Sequence, residues 1–238
     1  MSLNPEKQKI IKQDGNVLVT ANPGTGKTRL LAYKYVDLIN KGIAPEQILC
    51  LTFTAKAKRE METRILEVIK KEKINVDISK LNVFTFHSYA LDNIDENEVL
   101  TTNLLRYAIF RFLKDKKILN YDDTYLLDEI VPQLENLIRY LKSFGITPDE
   151  IDLVEVKKHL EEGKNYSKEE IDKFADYFLD IYSHYEDIKN KRGVDYNDLL
   201  IKFLLLKEVP QFEYVLIDEL QDVNTMEADI ALKSATYF

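Results

Sequence analysis

Residues 21–28 (ANPGTGKT) are the motif that most restricts the folds open to this chain. They match the pattern G-x-x-x-x-G-K-[ST], except that alanine replaces the first glycine. Backbone N–H groups of such a loop point inward and hold phosphate oxygens, and the glycines let the backbone approach them closely. An apolar run precedes the motif and a helix-forming stretch follows it, so we expect a phosphate-binding loop that leads into the N-terminus of a helix.

The pattern also assigns chemistry to single positions in this loop. Lys27 would reach the β- and γ-phosphates of a nucleotide, and the Thr28 hydroxyl would bind Mg²⁺. The predicted loop contacts to the nucleotide come from Ala21, Asn22, Pro23, Gly24, Thr25, Gly26, Lys27 and Thr28.

A pair of carboxylates, Asp218 and Glu219, follows the apolar run Tyr214–Ile217. In ATPases with a phosphate loop, the first carboxylate holds Mg²⁺ and the second orients or deprotonates the attacking water. Alone, the pair would be explained more simply as a solvated turn after a core strand. Together with the loop, it predicts a P-loop NTPase that uses Mg²⁺, with Lys27, Asp218 and Glu219 as its catalytic residues. The two motifs alone do not indicate which kind of NTPase this is.

The first third of the chain alternates between helix and strand patterns. We predict helices over about 4–13, 27–40 and 55–71, and strands at 17–21, 48–54 and 83–86. A fourth strand is predicted at 214–217, followed by a helix over about 224–235. This alternation is typical of an α/β fold with a doubly wound parallel sheet.

Residues 91–192 have no convincing strand pattern, and we predict an all-helical subdomain inserted into the sheet domain. Capping boxes begin at Thr147 and Ser167. The apolar stripe of the second helix is expected to pack against its neighbours. Its members are Phe174, Tyr177, Phe178, Ile181, Tyr185 and Ile188.

The formal net charge of −8 by itself argues against a nucleic-acid-binding protein, but the charge is unevenly distributed. Residues 1–87 carry 15 basic and 9 acidic side chains, whereas residues 88–193 carry 15 and 23. The basic surplus therefore coincides with the phosphate loop. The single cysteine, Cys50, lies in an apolar run and is expected in the core. No secretory signal is apparent, so we expect a cytoplasmic protein.

Five segments, in order, resemble the motifs of UvrD/Rep-type (PcrA-like) superfamily 1 DNA helicases. Residues 3–8 (LNPEKQ) are similar to the Q motif, and residues 51–61 (LTFTAKAKREM) are similar to the motif TFTNKAAxEM. Residues 85–88 (TFHS) resemble the TFH motif, and residues 195–200 (DYNDLL) are similar to DFDDLL. Residues 218–224 (DELQDVN) resemble the signature DEFQD-T-N.

The resemblance implies a RecA-like P-loop NTPase lobe formed by residues 1–90 and 193–238, with residues 91–192 as the inserted helical subdomain. It implies binding of ATP, Mg²⁺ and single-stranded DNA, and 3′-to-5′ movement of the intact enzyme. Gln8 would hydrogen-bond adenine, and Arg29 would border the nucleotide. The implied DNA contacts are Phe53, Thr54, Thr85, Phe86 and His87, and the implied coupling residues between the two ligands are Gln221 and Asp222.

The chain departs from the family pattern at three positions and at its end. Ala55, Leu220 and Glu227 stand where asparagine, phenylalanine and glutamine are common. In the family, the sequence continues into another strand and a second RecA-like lobe, whose arginines stabilise the transferred phosphoryl group. We therefore expect the ATP-binding lobe to be incomplete at its C-terminus and this chain alone to be nearly inactive in ATP hydrolysis.

Other functions remain open at this point. The chain is also compatible with the motor part of a helicase–nuclease, or with a non-catalytic nucleotide- or DNA-binding module. A nucleotide kinase would explain the phosphate loop but not the TFHS and DELQD segments.

Overall fold

The structure is a computed structural model that describes residues 4–22, 24–95, 99–100, 103–116, 122–162 and 168–236. Its helices and strands are, in chain order, α1 (Pro5–Lys12), α2 (Lys27–Asn40), β1 (Ile48–Thr52), α3 (Ala55–Glu72), β2 (Asn82–Thr85), α4 (Phe86–Asn93), α5 (Asn103–Lys116), α6 (Asp123–Tyr125), α7 (Val131–Lys142), α8 (Leu153–Glu162), α9 (Lys168–Asn190), α10 (Tyr196–Leu205), β3 (Tyr214–Ile217) and α11 (Thr225–Lys233). A π-helical turn, Leu126–Ile130, precedes α7.

The chain divides into two compact units. The sheet unit comprises Met1–Ile94 and Lys202–Phe238, and the helical unit comprises Asp95–Ile201. Among its described residues, the helical unit contains helices and one isolated bridge, between Val99 and Val194, but no strand. The fold is thus mixed α/β, with a parallel sheet. In the sequence, the helical unit is inserted between the two segments that form the sheet unit.

The sheet has three parallel strands in the order β2-β1-β3. All five residues of the central strand β1 are buried, as expected for a parallel strand covered on both faces. Thr52 pairs with Thr85, and Leu51 pairs with Ile217. Because these pairs lie at the carboxyl ends of parallel strands, the residues that follow the three strands meet at one edge of the sheet.

The predicted strand at residues 17–21 is absent, and this prediction was wrong. These residues form no regular structure, and the Leu18 side chain is 72% exposed. An apolar run becomes a strand only when a neighbouring strand accepts its backbone hydrogen bonds. In the described part of the chain, no strand is paired with this segment.

Local capping chemistry explains where the helices of the sheet unit begin. The Asn4 side chain accepts a hydrogen bond from the Lys7 N–H at 2.9 Å, and proline occupies the first position of α1. The Thr54 side chain caps α3 by accepting from the Ala57 N–H at 3.0 Å. Helix α2 has the predicted bounds, and the others differ from prediction by one or two residues at an end.

Helices α2 and α3 cover β1 and form the core of the sheet unit. The residues buried there include Tyr35, Leu38, Cys50, Met61 and Ile65. The expected core position of Cys50 is confirmed, and burial raises the pKa of its thiol above the ordinary range. Burying this apolar surface is the main favourable term that holds the helices to the sheet.

Helices α5, α7 and α9 share the core of the helical unit. The predicted stripe of α9 is only partly buried, because Phe178 and Tyr185 lie in the core while Phe174 is 41% exposed. The Thr147 capping box is present, with Glu150 as its partner. The box predicted at Ser167 lies outside the described residues.

A buried ionic cluster, which the sequence patterns did not predict, joins α7 and α9 to the start of α10. Lys142 Nζ lies 2.6 Å from Glu186, 2.9 Å from Asp195 and 3.0 Å from Asp198. Lys189 Nζ lies 2.7 Å from Asp198 and 2.5 Å from Glu186. We call these five residues the buried ionic cluster. Its two aspartates belong to the DYNDLL segment, so that segment stabilises the beginning of α10.

No helix within the described residues is both long enough and apolar enough to cross a membrane.

Candidate nucleotide and DNA site

The loop at residues 21–28 has the backbone geometry that its glycines were expected to allow. Gly24 has a φ of 78° and Gly26 a φ of 85°, which is the left-handed region that other residues rarely adopt. The Thr25 N–H and hydroxyl both donate to the Asn22 carbonyl, at 3.4 and 2.8 Å. These contacts curl the loop before α2 begins. Pro23, one of the predicted nucleotide contacts, lies outside the described residues.

The N-terminus of α2 is left available to an anion. Gly26 is its cap residue, so no side chain accepts from the first N–H groups, and the first turn contains no acidic residue. These N–H groups and the helix dipole together favour a negative charge at this end. Lys27 Nζ lies 3.2 Å from the Ala21 carbonyl oxygen, which holds the ammonium group beside the loop.

Helix α1 contacts the loop through Lys7, a residue to which the sequence patterns assigned no role. Lys7 Nζ donates to the Thr25 carbonyl at 2.6 Å. A Cβ atom at Gly26 would lie 3.7 Å from the same ammonium group. Gln8 is exposed on the same helix. Lys7 therefore ties the helix that carries Gln8 to the phosphate loop.

The Thr28 hydroxyl and the Asp218 carboxyl, which belong to the two predicted Mg²⁺ ligands, lie next to each other although 190 residues separate them in sequence. Asp218 is only 5% exposed, and its N–H donates to the Leu51 carbonyl at 3.0 Å. Burial and the charge of Glu219 raise the pKa of the Asp218 carboxyl, while the neighbouring Thr28 hydroxyl and the charge of Lys27 act in the opposite direction. A buried carboxylate with these neighbours would gain from binding a cation.

Glu219 has a left-handed backbone conformation, with φ 54° and ψ 49°. Glycine is the residue that usually occupies this region, so a glutamate here carries a conformational cost. Gln221 Nε2 donates to the Glu219 carboxylate at 2.7 Å and to Asp222 at 3.4 Å. Of the predicted coupling pair, Gln221 therefore contacts the carboxylate that was expected to act on water, and Asp222 contacts Gln221.

The residues expected to contact DNA follow β1 and β2 at the edge of the sheet where Asp218 follows β3. Phe53 is 45% exposed, so its ring is accessible. Thr54 and Thr85 are the cap residues of α3 and α4, and their hydroxyls accept backbone N–H groups. Each of these two threonines therefore already has a structural role.

Phe86 and His87 occupy the first turn of α4 with different exposure. The ring of Phe86 is completely buried, whereas His87 is half-buried. Because the Phe86 ring is completely buried, a contact with DNA would require it to leave the core. Phe86 is therefore a core residue in this structure, and the other four predicted DNA contacts remain accessible in part.

Two of the three departures from the family pattern have visible local consequences. Glu227, at a position where glutamine is common, is 1% exposed and completes a capping box with Asn224 at the start of α11. Burial raises the pKa of its carboxyl. Leu220 is 44% exposed beside the acidic pair, where phenylalanine is common.

Comparison with known proteins gives a consistent result. Residues 3–236 match the sequence model described as the UvrD/REP helicase N-terminal domain. The chain is 30% identical over 241 residues to the probable DNA helicase II homolog of Mycoplasma genitalium, a match that covers 94% of this chain and 32% of that protein. It is 28% identical to the ATP-dependent DNA helicase PcrA of Bacillus subtilis, covering 99% of this chain and 31% of that protein. It is 30% identical to the probable DNA helicase II homolog of Rickettsia conorii, covering 95% and 34%. The chain thus spans about a third of the length of these relatives.

Proposed function

Because the chain belongs to the UvrD/REP helicase N-terminal domain family, we propose that it binds MgATP and single-stranded DNA as the ATP-binding part of a DNA helicase or translocase. Residues 1–90 and 193–238 would form the RecA-like lobe, and residues 91–192 would be its helical insertion. The direction of travel of the complete motor would be 3′-to-5′, as the family resemblance implies.

The observation that carries this proposal is the arrangement at the carboxyl edge of the sheet. Asp218 and Glu219 follow β3, Phe53 follows β1, and Thr85 ends β2. The phosphate loop reaches the same edge, because the Thr28 hydroxyl lies next to the Asp218 carboxyl. An edge that carries both sets of residues gives a short path by which nucleotide chemistry could alter DNA contacts.

The loop and α2 fit the phosphates of ATP. The uncapped N-terminus of α2, the left-handed glycines and Lys27 supply positive or hydrogen-bond-donating groups. Gln8, exposed on α1, would recognise adenine, and Arg29 would border the nucleotide. Lys7 would act as a positioning residue by holding α1 against the loop.

Thr28 and Asp218 would hold Mg²⁺ together with the phosphates and water. Two protein ligands are sufficient, because Mg²⁺ usually keeps several waters and binds through only one or two protein side chains. When bound, the ion neutralises charge on the β- and γ-phosphate oxygens. The raised pKa of Asp218 supports this assignment, since a cation would offset the cost of burying its charge.

Glu219 would orient the attacking water and accept its proton. Its left-handed backbone directs the residue away from the strand, and Gln221 holds the carboxylate through a 2.7 Å hydrogen bond. If Gln221 also responds to the DNA at this edge, DNA binding would change the position of the carboxylate. Gln221 and Asp222 would therefore couple DNA binding to hydrolysis.

The first test is equilibrium binding of a fluorescent ATP analogue with and without Mg²⁺. Lys27→Ala should weaken binding about tenfold or more, because a charge-assisted contact to the phosphates is lost. The matched control is Lys9→Ala, an exposed lysine of α1, which should bind as the parent does. If Lys27→Ala and Lys9→Ala bind the analogue equally well, the nucleotide site lies elsewhere.

A further inference from the structure

A groove between α2 and α3 is lined by residues that, apart from Arg29, have no role in the function proposed above. Its cavity volume is about 610 Å³, and its walls are the first turns of α2 and one face of α3. Arg29 and Tyr33 line it from α2, and Arg59, Arg64 and Lys71 line it from α3. A volume of this size accommodates a ligand much larger than a single ion.

The groove carries an excess of positive charge. Four cationic side chains face two carboxylates, those of Glu60 and Glu67. Arg64 forms an ion pair with Glu60, four residues away on the same helix. Arg59 and Arg29 are exposed and form no ion pair with the described residues. The unneutralised charge would attract an anionic ligand.

Two of these cations converge on one phenol group. Lys71 Nζ donates to the Tyr33 hydroxyl at 3.0 Å and lies 5.3 Å from the centre of its ring. The Arg29 guanidinium lies 5.8 Å from the same ring. The hydrogen bond from Lys71 is the main reason why the pKa of Tyr33 lies below its ordinary value. The Lys71 ammonium and the Arg29 guanidinium carry further N–H donors besides those directed at Tyr33. An anion in the groove could accept hydrogen bonds from these donors.

The length and position of the groove favour a chain of phosphates over a single phosphate. Arg59 and Lys71 are 12 residues apart on α3, a rise of roughly 18 Å at ~1.5 Å per residue. At ~3.4 Å per phosphate, a stacked strand would place about five phosphates over that length. Arg59 also lies only about one and a half turns beyond Thr54, the cap of the same helix.

We propose that the α2–α3 groove binds the sugar–phosphate backbone of single-stranded DNA that extends from the Phe53–Thr54 edge. This inference rests on the proposed DNA binding, and it lengthens the path that the DNA strand would follow on the protein. The Tyr33 ring is buried and offers no face for base stacking. The groove contacts are therefore ionic, independent of base sequence and weakened by salt.

The test measures binding of fluorescein-labelled oligothymidines of about six and about fifteen nucleotides over a range of salt concentrations. The variants are Arg59→Glu, Lys71→Glu and the double substitution. The matched control is Lys70→Glu, an exposed neighbour of Lys71 that does not line the groove. Circular dichroism checks that the helices are retained.

The double variant should bind the longer oligonucleotide about tenfold more weakly, because the loss of each exposed charge contact should lower the affinity about threefold. The slope of log affinity against log salt should become shallower by about 1.4, at ~0.7 for each phosphate contact of a single strand. Binding of the shorter oligonucleotide should change less than about twofold, because it fits on the Phe53–Thr54 edge alone. Lys70→Glu should match the parent.

Phe53→Ala separates failure of this inference from failure of the proposed function. If Phe53→Ala weakens binding of both oligonucleotides while the groove variants match Lys70→Glu, the groove proposal is wrong and the proposed DNA binding stands. If the parent binds neither oligonucleotide, both are wrong. If polyglutamate binds the parent but not the double variant, and DNA affinity is unchanged, the groove is a site for an acidic protein and the proposal is overturned.

Discussion

At the scale of one residue, the burial of Asp218 would favour the binding of a cation but lowers the stability of the ligand-free fold. Burial raises the pKa of its carboxyl above the ordinary value of 3.8. A carboxyl group whose folded-state pKa is raised stabilises the fold below its unfolded pKa, and this contribution is lost as the pH rises through the folded-state value. At neutral pH the ionised Asp218 therefore costs stability in the absence of a cation.

We predict that Asp218→Asn leaves the thermal midpoint of the ligand-free protein unchanged or higher, while Mg²⁺-dependent nucleotide affinity falls about tenfold or more. Differential scanning fluorimetry and titration with a fluorescent ATP analogue measure the two effects. Asp229→Asn removes an exposed carboxylate of α11 and serves as the control. A lower midpoint with unchanged Mg²⁺-dependent affinity would show that Asp218 has a structural role only.

Local backbone geometry was predictable where a motif holds residues at fixed spacing. The loop at 21–28 and the pair at 218–219 could be interpreted from the sequence, because each motif is local. The Lys7–Thr25 contact could not, because it joins residues 18 apart through the packing of α1. The burial of Phe86 could not be predicted either, because the residues at a strand end do not indicate which side chain faces the core.

At the scale of secondary-structure elements, the buried ionic cluster fixes the start of α10. Burial alone would disfavour ionisation of Lys142, but Asp195, Asp198 and Glu186 raise its pKa above the ordinary value of 10.5. Burial likewise opposes ionisation of Asp195, but Lys142 and several hydrogen bonds lower its pKa below 3.8. The contribution of Asp195 is lost only as the pH falls through its lowered pKa, and that of Lys142 only as the pH rises through its raised pKa. Lys142 and Asp195 are therefore both ionised across the neutral range.

We predict that Lys142→Met lowers the free energy of unfolding by about 3–5 kcal/mol, because it leaves buried carboxylates without their main partner. The pKa of Asp195 should then rise, because burial is no longer opposed by Lys142, so the variant should become more stable as the pH falls from about 7 to about 5. Urea unfolding at both pH values measures the change.

Lys157→Met is the control for this prediction, because Lys157 pairs with Asp172 and Asp176 at a more exposed position. Its loss should cost no more than about 1 kcal/mol. Equal losses in the two variants, or no dependence on pH in Lys142→Met, would contradict the role of the cluster.

The starts of helices were predictable where they depend on local capping residues. The strand predicted at 17–21 depends instead on contacts with residues distant in sequence, and it is absent. Asn4, Thr54 and Asn224 cap helices within one residue of the predicted starts. The segment at 17–21 has an equally clear apolar pattern but no regular structure. A strand depends on a partner that is distant in sequence, and the pattern of a single segment carries no information about that partner.

At the scale of the whole molecule, the family match covers residues 3–236 and the chain spans about a third of its relatives. The sheet unit carries the basic surplus of residues 1–87, together with the loop and the acidic pair. These features would support the proposed binding of nucleotide and DNA at one edge of the sheet. They do not supply the arginines that the family resemblance assigns to a second lobe, and such an arginine accelerates hydrolysis by roughly 10³ to 10⁵.

The measurement that tests the central claim most directly is steady-state ATP hydrolysis with and without single-stranded DNA. It compares this chain with a polypeptide extended through the second lobe of its relatives, each beside Glu219→Gln and the exposed control Glu208→Gln. We predict DNA-stimulated turnover only in the extended protein, at least about a thousandfold above this chain. Glu219→Gln should abolish it and Glu208→Gln should not. Comparable turnover by this chain alone, or an extended protein that binds nucleotide without DNA-stimulated hydrolysis, would contradict the account.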